Sequence, residues 1–280
     1  LSSSGSHPMR VIVTRVQPQA ARWVRSLTPR FEAVAWPLIE VRGLVDQYAL
    51  QAAGQHWADY VAVMFVSSHA VSFFFESNRA IGLTQAASAA LKTRVWATGP
   101  GTRAALLAQG FLEQQVDSPP AEGGQFDSEA LWPQVGNQIT PGACVLIVRG
   151  DSRSDDDMQV DAPRAADSQG VGRDWLAQRL AQAGAKVDFA VAYQRSAPVW
   201  DAAQCAQATL AATDGSVWLL TSAQALTHLQ ALMPGQNWHL ARVVATHERI
   251  AQVARGLGFG TVMVSRPTLF DVSASIESLA

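Results

Sequence analysis

The chain nearly repeats itself, and this limits what it can become. Val95-Trp96-Ala97-Thr98, a helix-like stretch and Gly110-Phe111 return as Val243-Val244-Ala245-Thr246 with Gly258-Phe259 at the same spacing. The upstream segment returns too: Met64-Phe65-Val66-Ser67-Ser68-His69-Ala70-Val71 reads against Leu219-Leu220-Thr221-Ser222-Ala223-Gln224-Ala225-Leu226. Each copy is an apolar strand, a hydroxyl-bearing turn and the start of a helix. Two such halves predict two similar lobes facing one cleft. A cleft lined by helix N-termini suits a large anionic ligand.

The rest of the chain continues the alternation. Val11-Ile12-Val13-Thr14 is a short strand before a helix-like stretch from about Pro18 to Leu27. Ala33 to Val41 is expected as a second strand, confined to an edge by Pro37. Val145 to Arg149, Val187 to Tyr193, Val217 to Leu220, Arg242 to Ala245 and Thr261 to Val264 read as further strands with helices between them. This order predicts an α/β fold with parallel sheets covered on both faces. In such sheets ligands bind beyond the carboxyl ends of the strands. The turns Ser67-Ser68-His69, Thr98-Gly99-Pro100-Gly101-Thr102, Thr221-Ser222 and Thr246-His247 all fall there. Ser118 to Gly124 and the polar stretch Asp151 to Gly170, with Asp155-Asp156-Asp157, are expected as loops.

Several functions are excluded. Of 280 residues, 48% are hydrophobic and 16% charged, so the chain can bury a core. A formal charge of −2 gives no electrostatic footprint for nucleic acid or a membrane surface. Of 21 basic residues only Lys92 and Lys186 are lysine, a bias that genome composition explains more simply than phosphate binding. Cys144, expected as a buried strand residue, and Cys205 have no metal or redox spacing, which fits a reducing cytoplasm. Leu1 to Pro8 read as a tag remnant or leader, and no signal peptide or membrane span is visible. No P-loop, nucleophile elbow or zinc-spaced histidine pair occurs.

Six segments in order carry a family resemblance: Val11-Ile12-Val13-Thr14-Arg15, Phe65 to Val71, Val95 to Thr102, Val145 to Gly150, Val191-Ala192-Tyr193 and Leu220-Thr221-Ser222. Together they resemble the uroporphyrinogen-III synthases, over essentially all of Met9 to Ala280. The resemblance implies two α/β lobes joined by a two-stranded antiparallel linker. Mapped here, one lobe is 9–35 with 196–280, the other is 42–190, and the connectors are 36–41 and 191–195. It also implies a cofactor-free lyase, with no metal, that dehydrates hydroxymethylbilane, inverts its last ring and closes the macrocycle. The chain departs from the family pattern at Thr14-Arg15-Val16, at Phe65-Val66-Ser67 and at His247-Glu248-Arg249-Ile250, which replaces a Gly-Pro-x-Thr turn.

The resemblance places Tyr193 as a general acid for departure of the hydroxyl group. It places Arg15, Ser67, Ser68, His69, Thr98, Gly99, Thr102, Arg149, Thr221, Ser222 and Ala223 at the substrate. Each has a plainer role open to it. The hydroxyl residues are helix caps, the arginines ion-pair partners, and His69 and His247 turn residues. Trp36 and Trp200 either stack on pyrroles or pack the core. A monomer is expected, with contact with other tetrapyrrole-pathway enzymes left open. The competing readings are a two-lobed binder of anionic ligands and a regulatory, synthase-like protein without chemistry.

Overall fold

Strands and helices alternate along the chain because four-residue apolar runs recur between longer amphipathic stretches. The computed structural model describes residues 8–81, 92–120, 128–151 and 171–279. Residues 1–7 of the expected leader, the glycine pair Gly123-Gly124 and the 152–170 stretch with its three aspartates lie outside the described residues. In chain order the described residues form β1 (Arg10–Val13), α1 (Gln19–Leu27), β2 (Glu32–Ala35), β3 (Glu40–Gly43), α2 (Tyr48–Gln55), β4 (Ala62–Phe65) and α3 (Ser68–Ser77). They continue through β5 (Arg94–Ala97), α4 (Pro100–Ala108), β6 (Val116–Asp117), α5 (Ser128–Val135), β7 (Cys144–Gly150), α6 (Val171–Gln182) and β8 (Lys186–Ser196). The last third is α7 (Ala202–Ala211), β9 (Val217–Leu220), α8 (Ala223–Leu232), β10 (Arg242–Ala245), α9 (Glu248–Gly256), β11 (Thr261–Val264) and α10 (Leu269–Glu277).

These elements form two units, Leu1–Glu40 with Ser196–Ala280, and Val41–Arg195. The first holds a five-stranded sheet in the order β11-β10-β9-β1-β2, parallel throughout. Its central strands are apolar on both faces, as helix cover on both sides requires. Ile12, Trp218, Leu220 and Val243 build the core on one face, and Val11, Val13, Leu219 and Val244 the core on the other. The second unit holds a six-stranded sheet in the order β3-β8-β7-β4-β5-β6, with β4–β5, β4–β7, β5–β6 and β7–β8 parallel. Val63, Phe65, Leu146 and Val148 face one core, and Met64, Trp96, Val145 and Ile147 the other.

The internal repeat is a repeat of register. Met64 pairs with Trp96 and Phe65 with Ala97; the matching residues Leu219 and Leu220 pair with Val244 and Ala245. The helix that follows ends alike in both copies. Gly110 and Gly258 take φ of 90° and 87°, a region that L side chains enter at a cost. Each closes its helix through the next residue. Phe111 N–H donates to the Leu106 carbonyl (3.3 Å) and Phe259 N–H to the Ala254 carbonyl (3.2 Å), and both rings are buried.

Two expectations need correction. Ala33 to Val41 is not one strand. Trp36 N–H still donates to the Val13 carbonyl (2.9 Å), but Pro37 has no N–H with which to continue the ladder. The chain leaves the first sheet there and re-forms as β3 beside β8 in the second. Leu38 and Ile39 are buried in the first unit's core, and His228 Nδ1–H donates to the Leu38 carbonyl (2.7 Å). Trp36 and Trp200 pack against each other, with ring centroids 5.5 Å apart, and Trp36 continues onto Trp218 at 5.9 Å. Cys144, for its part, is half-buried, because it opens β7 at the sheet's margin. Nearby, the Tyr60 hydroxyl donates to Asp188 Oδ2 (3.1 Å).

Two outcomes follow from this geometry. Gly258→Ala has open space around its new Cβ, so only backbone strain remains, and unfolding by urea should show a loss of about 1–2 kcal/mol. Desolvation, reinforced by Asp188, pushes the Tyr60 phenol up from 10.0 to about 12. The folded protein thus keeps a proton that the unfolded chain releases, so stability falls as pH rises through that window. Tyr60→Phe should show a shallower decline of the urea midpoint over the same window, and an unchanged slope would contradict the assignment.

Candidate active site

Each sheet has a point where successive strands diverge to either side. In the first unit β1 leads to β2 on one side, while β9, β10 and β11 extend on the other. In the second unit β4 leads to β5 and β6, and the chain then returns to place β7 and β8 on the opposite side. The crevice outside the carboxyl ends at such a point is the ligand position of open parallel sheets. It lies between the ends of β1 and β9 in one unit, and between those of β4 and β7 in the other.

The second unit's crevice is built around Tyr193. β7 and β8 run in step from Cys144↔Lys186 to Arg149↔Val191 and then slip, so that Gly150 faces Tyr193. A bulge of this kind re-aims a side chain. The Tyr193 ring lies so close over Gly150 that a Cβ there would fall 2.5 Å from Cζ and 2.9 Å from the phenol oxygen. The ring lies 5.8 Å from the His69 ring and 6.1 Å from that of Phe73, and the Arg195 guanidinium stands 6.0 Å from its centroid. Tyr193 is 1% exposed, and its hydroxyl meets Ser67 Oγ at 2.9 Å.

Ser67 is the N-cap of α3. Its extended backbone lets Oγ accept from the Ala70 N–H at 3.1 Å. The capping role and the contact with Tyr193 thus belong to one oxygen. Ser68 and His69 follow in the first turn of α3, both half-buried. The Thr98 hydroxyl donates to the Val66 carbonyl (3.1 Å), Gly99 is the N-cap of α4, and Thr102 is buried inside the first turn of that helix. Arg149 lies 4.6 Å over the Phe189 ring.

The first unit's crevice carries the other candidates. Thr14 Oγ1 donates to the Leu219 carbonyl (2.7 Å), tying β1 to β9 at its mouth. Arg15 stacks 4.9 Å over the Trp23 ring and donates to Gln19 Oε1 at 3.2 and 3.3 Å. Burial holds its guanidinium pKa below the ordinary value. Thr221, Ser222 and Ala223 are half-buried at the start of α8, where Ser222 takes the N-cap position without a side-chain capping bond. Among the described residues neither Arg15 nor Arg149 pairs with a carboxylate, so both cations sit at strand ends against aromatic rings.

The helix N-termini differ in charge. α3, α4 and α8 have no acidic residue in their first turn, which leaves the positive end of the helix dipole uncompensated. α9 begins His247-Glu248, with the histidine exposed at the N-cap and a carboxylate in the first turn. Three of the four helix starts thus carry an uncompensated positive end, and the fourth is partly neutralised. Reasoning from sequence missed Gly150 and Phe73, which frame Tyr193, and Thr14, which ties the first crevice together. Among the described residues no group of three or more His, Cys, Asp or Glu could hold a metal ion, and no helix is long and apolar enough to cross a membrane.

Two α/β units, each with helix N-termini and hydroxyl-bearing turns at the carboxyl edge of its sheet, define a two-unit α/β protein of the open parallel-sheet class. The comparisons with known proteins narrow that class. The model of the uroporphyrinogen-III synthase HemD family matches residues 27–159 and 163–273. The uroporphyrinogen-III synthase of Salmonella typhimurium is 29% identical over 276 residues, covering 92% of this chain and 95% of the relative. The fold matches that of uroporphyrinogen-III synthetase from Helicobacter pylori, with a TM-score of 0.57 at 15% identity, covering 97% of this chain and 100% of that one. It also matches a mutant uroporphyrinogen III synthase from Thermus thermophilus, with a TM-score of 0.53 at 14% identity, covering 97% and 98%. The chain belongs to the uroporphyrinogen-III synthase family, the cyclising lyases of tetrapyrrole synthesis.

Gly150→Ala tests the frame around Tyr193. The added carbon cannot share space with the ring, so the ring must shift or the bulge must open. Turnover should fall by at least about tenfold, the order of loss that displacing a group in an active site by about 1 Å brings. A crystal structure of the variant should show the Tyr193 hydroxyl out of hydrogen-bonding range of Ser67, and wild-type turnover would refute this account.

Proposed function

We propose that this chain converts hydroxymethylbilane to uroporphyrinogen III by loss of water, inversion of the last pyrrole ring and closure of the macrocycle, without a cofactor. The observation that carries the proposal is the Ser67–Tyr193 hydroxyl pair at a helix N-terminus and a strand switch point. It stands in a chain whose family match runs through both units. Departure of hydroxide from a carbon attached to pyrrole leaves an azafulvene cation. A neutral hydroxyl group aimed at the leaving oxygen supplies the proton.

Recognition falls to the amide-rich turns. Ser68, His69, Thr98, Gly99 and Thr102 surround the second unit's crevice, and Thr221, Ser222 and Ala223 the first unit's. Backbone N–H groups and hydroxyls there bind the acetate and propionate side chains, and Arg15 and Arg149 each hold one carboxylate as a planar fork. Holding the chain in a bend that favours attack at the substituted carbon of the last ring is the larger part of the work. Tyr193, through its hydroxyl pair with Ser67, is the source of the proton for the leaving oxygen. The enzyme acts in the cytoplasm as a monomer. Both its cysteines are free thiols, a state that a reducing compartment preserves.

Supplied with enzymatically made hydroxymethylbilane and no added metal, the protein should yield the type III isomer. Formation of the type I isomer alone would leave a protein that binds without catalysing. Sedimentation should give the mass of a single chain, 30.0 kDa, and twice that mass would rule out the monomer.

A further inference from the structure

Burial separates the two hydroxyl groups of the site. Tyr193 is 1% exposed, whereas Ser67 is half-buried at the N-cap of α3, where β4 ends. A hydroxyl has one proton to give and two lone pairs. One lone pair of Ser67 Oγ already takes the Ala70 N–H. If Ser67 donated to Tyr193, the phenol proton would be left buried without a partner, at the full cost of its desolvation. If Tyr193 donates to Ser67, the buried phenol proton is satisfied and the serine proton stays free for a further acceptor. The bond therefore runs from Tyr193 to Ser67.

We propose that Ser67 is the hydroxyl group that meets the substrate, and that Tyr193 is a positioning residue that acts through it. This inference rests on the reaction proposed above. The C–O bond of the hydroxymethyl group breaks and its electron pair leaves with the oxygen. Ser67 gives its proton to that oxygen, completing water, and takes the phenol proton of Tyr193 in return. The positive charge is left on the azafulvene and the negative charge on the Tyr193 oxygen. The α3 dipole stabilises the developing negative charge, because Ser67 caps that helix. The Arg195 guanidinium, 6.0 Å from the Tyr193 ring centroid, adds a second cation. When the new carbon–carbon bond closes the ring, the proton shed by the pyrrole carbon returns through Ser67 to Tyr193. One water is lost and the protein ends as it began.

The relay makes the two residues a unit, and units are non-additive. The test compares wild type, Ser67→Asn, Tyr193→Phe and the double variant, each assayed for type III product from hydroxymethylbilane. Asn keeps the N-cap but has no hydroxyl, so thermal unfolding should find all four proteins folded. Each single change should lower kcat by about 100-fold with KM held within about twofold, and the double variant should lose no more than about threefold beyond the worse single one. Full kcat in Ser67→Asn alongside an inactive Tyr193→Phe would show that the phenol meets the substrate directly and overturn the relay. Losses that multiply in the double variant, or full kcat in Tyr193→Phe, would overturn it as well. A wild-type protein that makes only the type I isomer would defeat the reaction assignment itself and the relay with it.

Discussion

A parallel sheet delivers the carboxyl end of every strand to one edge, and this architecture rests on that constraint. Four of the hydroxyl-bearing turns stand at such ends because β4, β5, β9 and β10 run the same way as their neighbours. The helices that leave those turns must start there, so their N–H groups and dipoles gather at the same edge. The positive field at that edge comes with the topology and needs no excess of basic side chains, in a chain of formal charge −2.

The two units reach the same spatial arrangement by different routes. β9, β10 and β11 occupy in the first sheet the places that β4, β5 and β6 occupy in the second. The flank filled by β7 and β8 in the second sheet is filled by β1 and β2 in the first. The chain thus draws its two opening strands and its last three into a single sheet. Thr14 seals the join with a hydrogen bond to Leu219, 205 residues away.

Much of this was legible in the residues. The apolar runs and the recurrence of Val95–Thr98 as Val243–Thr246 marked parallel strands in equivalent positions, and the shared Gly-Phe pairs marked the helix ends. Local chemistry was enough there, since periodicity and a positive-φ glycine act over a few residues. Where the outcome depended on distant partners, the sequence was silent. Pro37 announced an edge but not that the strand would end and re-form in a second sheet, which depends on Leu38 and Ile39 finding a core. Gly150 looked like any glycine at a strand end, and its requirement is set by a tyrosine 43 residues on. The motif pointed to Tyr193 but not to its depth, which its packing against Ser67, His69 and Phe73 sets.

The central place of β1 also bears on how the molecule is made. A ribosome emits β1 well before β9, yet β1 pairs with both β2 and β9, and β9 begins at Val217. The five-stranded sheet therefore cannot close while that residue is still untranslated. The Val41–Arg195 unit, continuous in the chain, has all its strands available earlier. The residues of β1 and β2 are held in waiting until β9 emerges.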